Sequence, residues 1–270
     1  MINTINKRKS IRNYQKKSLS EQDKTKVLKI LEDAGNEIGP YNHSVKFFFS
    51  NNKNPEGKKI GTYGFIKNPP SFIGGVVKNN LKGMVDFGFI FEDVILKLTK
   101  EDVGTVWLGG TFTRSDFDVD CNEDEIIACV SPVGYAASSM SMKEKVIRKS
   151  VNANNRKPFD DLFFYGKEMN VVPSNHQFHK YLEAIRLAPS ASNKQPWRVV
   201  IEDDIFHFYL KRTKGYGNVL KMDIQAVDIG IALSHLCLCL NDDEIIYNFV
   251  NKNPFEIDET EYIMSVAVMS

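Results

Sequence analysis

Apolar positions in this chain recur with two periods, and the order in which those periods alternate is repeated. Ser20-Glu21-Gln22-Asp23 reads as a helix N-cap with a carboxylate three positions on. Val27, Ile30, Leu31 and Ala34 follow at helical spacing, which predicts an amphipathic helix over 21–35. Val45–Phe49 predicts a strand, and Phe72–Val77 a second one interrupted by Gly74-Gly75. Residues 84–98 set Val85, Gly88, Phe91, Ile95 and Leu98 near one face of a long apolar helix, and Thr105–Phe112 and Ile126–Tyr135 predict further strands. The order then begins again. Phe178, Tyr181, Leu182, Ile185 and Ala188 predict a helix over 177–188, followed by a strand at Arg198–Glu202. Ile205–Lys211 alternates as its hairpin partner across Asp203-Asp204. Ile224–Leu240 predicts a helix apolar nearly all round, hence buried on several sides, and Tyr262–Val268 a closing strand. Residues 138–176 are polar and weakly periodic, and predict a segment that wanders from one half to the other.

The repetition extends to single residues. Val85-Asp86-Phe87-Gly88-Phe89-Ile90 parallels Val227-Asp228-Ile229-Gly230-Ile231-Ala232. Upstream, Ala34 parallels Ala188, and Phe47-Phe48-Phe49 parallels Val199-Val200-Ile201. Three matches in one order predict an internal duplication. A glycine inside an apolar helix lets another backbone approach closely, as at a pseudo-twofold seam. The expected fold is α+β: two halves, residues 1–158 and 159–270, each a mainly antiparallel sheet with helices, the two long Asp-x-Gly helices meeting at the centre.

Charge narrows the partners. Lysine and arginine number 35 against 34 aspartates and glutamates, so no global field draws in nucleic acid or an anionic membrane. No apolar run approaches the roughly 20 residues that span a bilayer, and the basic N-terminus leads into no apolar signal region. Cys121, Cys129, Cys237 and Cys239 lack metal-ligand spacing and read as buried free thiols, which predicts a cytoplasmic protein. The histidines are scattered without a ligand pair, so no metal site is expected. No dinucleotide-binding GxGxxG, phosphate-binding Walker loop or GxSxG occurs.

Two stretches fall outside the core pattern. Arg8-Lys9-Ser10-Ile11-Arg12-Asn13-Tyr14 packs cations and a hydroxyl into a short segment. Ala188-Pro189-Ser190-Ala191-Ser192-Asn193-Lys194-Gln195-Pro196-Trp197 is a proline-bracketed polar loop ending in a large aromatic. They look like two walls of an anion-and-heterocycle site, one in each half. Their composition and order resemble the FMN-dependent nitroreductase superfamily. Asp86 and Gly88 in the long helix, Gly104 to Phe112, Val133-Gly134-Tyr135 and Arg156-Lys157-Pro158 also fit that pattern. Two departures stand out. The first half carries Gly39-Pro40-Tyr41-Asn42-His43 where Ala-Pro-Ser is expected, and the second carries Ser174-Asn175-His176-Gln177 where the arginine motif is expected. Each half thus keeps one wall, as in a fused single-chain pseudo-dimer with one complete flavin site and a second site lacking its cations.

The resemblance implies a tightly bound FMN, with NAD(P)H as a transient reductant. It implies a cofactor-binding set of Arg8, Lys9, Ser10, Arg12, Leu108, Gly109, Gly110, Arg156, Pro189, Ser190, Ala191 and Asn193. Arg8, Ser10 and Arg156 suit phosphate oxygens, and Arg12 the N1/O2 edge of the ring, where negative charge develops. Ser190, Ala191 and Asn193 suit the ribityl chain and pyrimidine edge, and Gly109-Gly110 leaves room for backbone N–H groups near N5. No catalytic side chain is expected, because the flavin carries the chemistry. The implied activity is hydride transfer to a nitroaromatic, quinone or similar small-molecule acceptor. The alternatives are an FMN storage or sensor protein, and a flavin-dependent dehalogenase or flavin-fragmenting enzyme with a lid at Tyr41–Tyr63. Internal fusion predicts a monomer or a weak homo-oligomer.

Overall fold

The computed structural model describes residues 1–52, 66–138, 155–251 and 254–269. In the first half, α1 (Ile2–Lys7) and α2 (Glu21–Gly35) precede β1 (Lys46–Asn51), β2 (Ser71–Lys78), α3 (Leu81–Lys100) and β3 (Glu125–Val133). The second contains β4 (Phe163–Tyr165), β5 (Asn170–Val171), α4 (His179–Arg186), β6 (Trp197–Glu202) and β7 (Ile205–Leu210). It closes with α5 (Ile224–Asp242), β8 (Tyr247–Val250) and β9 (Glu261–Val268). The strands form a three-stranded sheet, β1-β2-β3, and a six-stranded sheet, β5-β4-β6-β7-β9-β8.

The two sheets share a nucleus. In the first, a hairpin-paired β1 and β2 feed α3, and the next strand returns antiparallel to the free side of β2. In the second, β6 and β7 feed α5, and β9 returns antiparallel to β7. The duplication seen in the residues is therefore a duplication of topology. Strands β4, β5 and β8 are additions to the second copy.

The copies meet where α3 crosses α5. A Cβ built on Gly88 would lie 2.2 Å from the Val227 carbonyl oxygen, and one built on Gly230 would lie 2.0 Å from that of Val85. Val85 and Gly88 are the sequence counterparts of Val227 and Gly230, so each helix meets the other with the same two positions. That reciprocity is the signature of a twofold interface. Glycine is required here by close approach alone, since neither residue has a positive φ.

Local signals mark the long helices clearly. Asn80 caps α3 by accepting from the Gly83 N–H at 2.8 Å, and Asp223 caps α5 by accepting from Gln225 and Ala226, each at 3.1 Å. Ser20 caps α2 in the same way, accepting from Asp23 at 3.1 Å. By length and composition α5 is apolar enough to cross a membrane, contrary to the expectation that no segment comes close. In the folded chain it is a core helix, with 89% of its most apolar stretch buried.

Four further expectations need correction. Thr105–Phe112 is not a strand: single bridges hold it at Thr105 (to Ser10) and Leu108 (to Val130), and the chain then bends away. Residues 159–172 do not wander, because Leu162 and Phe163 are fully buried and β4 pairs in parallel with β6. Cys121 is exposed, whereas Cys129, Cys237 and Cys239 are buried free thiols as expected. The Gly74-Gly75 pair does not break β2 but marks a register irregularity between Gly74 and Val76. Residues 53–63 of the expected Tyr41–Tyr63 lid lie outside the described residues, and residues 46–51 belong to β1.

Candidate functional site

The arginine motif leaves α1 and runs beside the segment after α3. Ser10 bridges Thr105 in parallel, and the Ile11 N–H donates to the Thr105 carbonyl at 2.8 Å. Tyr14 anchors the far end: its ring is buried, and its hydroxyl donates to the Ile11 carbonyl at 2.8 Å. Between these ties Arg8 turns inward, with only 9% of its side chain exposed, while Lys9 is exposed and Ser10 and Arg12 are partly buried.

Arg8 sits above a buried polar cluster at the helix seam. Its Nε lies 4.0 Å from Glu92 Oε1, and Glu92, on α3, is fully buried. The Trp107 indole N–H donates to Glu92 Oε2 at 2.8 Å. His235, on α5, faces Glu92 Oε1 through Nε2 at 3.0 Å and the Ala184 carbonyl through Nδ1 at 2.8 Å. Both ring nitrogens face acceptors, so Nδ1 must carry a proton and another lies between Nε2 and Glu92. A carboxylate from one half is thereby satisfied by an imidazole from the other, directly beneath Arg8.

The Ala-Pro-Ser loop forms the opposite wall. It makes a tight turn over Ala191–Asn193, with Ser192, Asn193 and Gln195 all at positive φ (48°, 56° and 48°). Such strain persists only where surroundings over-determine it. Here Ser190 Oγ accepts from the Gln195 N–H at 2.9 Å, and Asp228 Oδ1 accepts from the Ala191 N–H at 2.9 Å. The end of the first half is strapped onto it: Asn193 Nδ2 donates to the Asn155 carbonyl at 2.9 Å, and the Lys157 N–H to Gln195 Oε1, also at 2.9 Å.

That strap delivers Arg156. Its Nη2 donates to the Leu187 carbonyl at 3.1 Å, and its Nη1 lies 3.5 Å from Asn193 Oδ1. Burial, together with the nearby charges of Arg8 and Arg186, pushes its pKa down to about 10. Arg186 is taken up by Glu183, with two contacts of 2.6 Å. Arg8 and Arg156 thus bring two largely buried guanidiniums, one from each end of the first half, against a loop of the second. An anion placed among them would offset the burial and the repulsion that together lower Arg156.

The remaining candidates divide. Pro189, Ser190, Ala191 and Asn193 share the wall just described. Leu108 is buried in the first half's sheet, and its N–H is spent on the Val130 carbonyl at 2.9 Å. At Gly109 and Gly110 the side-chain space is filled by Ile224 and Leu220 of the second half, 2.4 and 2.6 Å from a Cβ placed there. Sequence reasoning missed Glu92, Trp107 and His235. The acidic pair Glu92-Asp93 in the middle of an apolar helix was the available signal.

Asp86 and Asp228, counterparts near the start of the two long helices, each hold a loop. Asp86 accepts from the Tyr41 N–H at 2.8 Å and the His43 N–H at 3.0 Å, and its Oδ2 lies 2.8 Å from the His43 ring. The Tyr41 hydroxyl donates to the Ile263 carbonyl on β9. The degenerate loop is therefore locked onto its own half and tied across to the other.

Asp228 is less well served. Its Oδ2 is buried without a hydrogen-bond partner, and burial raises its pKa well above the usual carboxylate range, partly offset by the Ala191 N–H. A carboxyl with a raised folded-state pKa loses stability as pH rises from its unfolded value toward its folded one. In flavin-free protein this carboxyl is expected to cost stability as pH rises above about 4, the unfolded value, and Asp228→Asn to flatten that loss. Denaturant midpoints across this range check it; parallel profiles for the two proteins would count against an ionising Asp228.

These walls, on this fold, define a nitroreductase-type architecture in which two copies are joined in one chain. The chain belongs to the family described as "Putative TM nitroreductase", whose model matches residues 1–239. Among solved structures it is similar to one described as a putative nitroreductase from Thermotoga maritima MSB8, at 18% identity and a TM-score of 0.63, over 98% of this chain and 92% of that one. At that identity the likeness shows the fold. An FMN-dependent nitroreductase from Clostridium difficile R20291 matches at 20% identity and a TM-score of 0.41, over 52% of this chain and 90% of that one. No curated protein matches the chain.

Proposed function

We propose that the protein is an FMN-dependent oxidoreductase that moves hydride from NAD(P)H to a nitroaromatic, quinone or similar acceptor, with one flavin held between the halves. The observation that carries this reading is the convergence of Arg8 and Arg156 beside the Ala-Pro-Ser loop. A dianionic phosphate suits two partly desolvated guanidiniums with a serine nearby, because charge-assisted bonds strengthen where water is excluded. Ser10 is set by its bridge to Thr105 to add a hydroxyl, and Glu92, held by His235 and Trp107, supports Arg8 from beneath. Asn193 lies where the two walls meet and would orient the ligand's polar edge. When bound, FMN supplies the redox chemistry by accepting hydride and passing it on; the chain binds, orients and shields it.

Only one site is expected. At the pseudo-symmetric position the second half offers Ser174-Asn175-His176-Gln177 instead of arginines, and the first offers the Gly39–His43 loop locked by Asp86. Absorption spectroscopy after incubation with FMN, followed by NADPH and NADH oxidation with a quinone acceptor, tests the proposal. The expected result is a yellow protein that turns over. A protein that takes up no FMN overturns it, and a flavoprotein without turnover supports a storage or sensing role instead.

A further inference from the structure

The two halves differ most where the sheet leads into the long helix. In the first, β2 passes into α3 through residues 79–80; in the second, β7 passes into α5 through residues 211–223. This longer connection touches the Ala-Pro-Ser wall of the candidate site and the Gly110 segment of the first half. Leu220 fills the side-chain space of Gly110, on the first half. The Tyr216 hydroxyl donates to Ser192 Oγ at 2.9 Å, in the Ala-Pro-Ser loop, and Lys194 Nζ stands 5.5 Å from the Tyr216 ring centre. Gly215 and Gly217, at φ of 73° and 86°, let the chain turn on either side of that tyrosine.

Between this loop and Asn79–Leu81 lies a cavity of about 580 Å³, within the range of small-molecule sites. Its lining includes Arg212, Lys214, Lys221 and a single carboxylate, Asp223. Arg212 is already engaged by Asp223 at 2.8 Å and Glu261 at 2.9 Å. The positive character of the cavity therefore comes from Lys214 and Lys221. Asn79 braces the loop, its amide donating to the Lys221 carbonyl at 3.0 Å.

We propose that this cavity holds the phosphate-bearing adenine-nucleotide part of the dinucleotide reductant, and that residues 211–223 were elaborated on one copy for this purpose. The proposal rests on the flavin reading, since it needs a hydride acceptor beside Gly110 and Ser192. Three features support it together. The loop lining the cavity touches the Ala-Pro-Ser wall at Ser192 and the first half at Gly110, the cavity's excess charge is opposite to that of a pyrophosphate, and the pseudo-equivalent connection is too short to form one. The chain also lacks a GxGxxG turn, so the reductant's phosphates need another anchor.

Calorimetric titration of the full chain with ADP, a stand-in for the non-reacting part of the dinucleotide, tests the proposal in wild type and in Lys214→Glu/Lys221→Glu. FMN uptake is measured separately by flavin fluorescence. The expected result is ADP binding to wild type that weakens at least about 10-fold in the double variant and with added salt, while FMN uptake is unchanged. No ADP binding, or equal binding to both proteins, overturns the cavity assignment even if FMN binds. ADP binding without FMN uptake overturns its link to the reductant along with the flavin reading. Loss of both ligands in the variant alone points to a general disturbance and also counts against it.

Discussion

Adding one methyl group at Gly230 is expected to destabilise the protein by more than about 3 kcal/mol, enough to leave many single domains largely unfolded. The new Cβ would lie 2.0 Å from the Val85 carbonyl oxygen and 2.7 Å from the Phe89 nitrogen. These are backbone atoms, so no rotamer change relieves the overlap, and α3 and α5 must move apart. That separation would open the contacts along the main seam between the halves. Gly88→Ala meets the Val227 carbonyl oxygen at 2.2 Å and is expected to behave alike. Because one displacement relieves both overlaps, the double variant should cost clearly less than the sum of the singles. Gly35→Ala is the control: the nearest atom to its Cβ is 3.9 Å away, so it should be neutral or slightly stabilising. Denaturant unfolding of the four variants checks the set, and simple additivity would contradict a reciprocal crossing.

The second large effect is expected at Arg8. Replacing it with alanine removes a charge-assisted contact worth about 1.5–3 kcal/mol, so FMN should bind roughly 10- to 100-fold more weakly. Riboflavin, which has no phosphate, should bind wild type and variant nearly alike. Lysine at this position keeps the charge but loses the planar fork, so Arg8→Lys should fall between them. Fluorescence titrations with both ligands make the comparison. Equal losses for FMN and riboflavin would mean that Arg8 supports the fold rather than a phosphate, through its place above Glu92.

Much of this molecule was legible in the residues because its signals are local. The Asp-x-Gly repeat located both long helices, although α3 begins at Leu81, behind an Asn80 cap that the apolar period does not show, rather than near residue 84. The alternation in Ile205–Leu210 and the Asp203 turn, at a φ of 51°, gave the hairpin. What failed depends on contacts made elsewhere. Thr105–Phe112 has strand composition, but its neighbours are single bridges rather than a ladder. Phe163–Tyr165 is too short to show a period and is a strand because β6 offers a free edge.

The same division holds within the site. The two walls were visible as motifs, and their meeting followed from each half lacking the other's wall. The Glu92–His235 pair was not visible, since it joins two helices at a crossing that sequence spacing does not describe. The 211–223 loop was passed over because its significance lies in a comparison, against the short connection at residues 79–80 in the other copy.

FMN stoichiometry per chain tests the central claim most directly. Flavin released from a saturated, denatured sample, counted against protein by amino-acid analysis, should come to one per chain. Two per chain would contradict a single surviving site between differentiated halves, and none would contradict the flavin site itself.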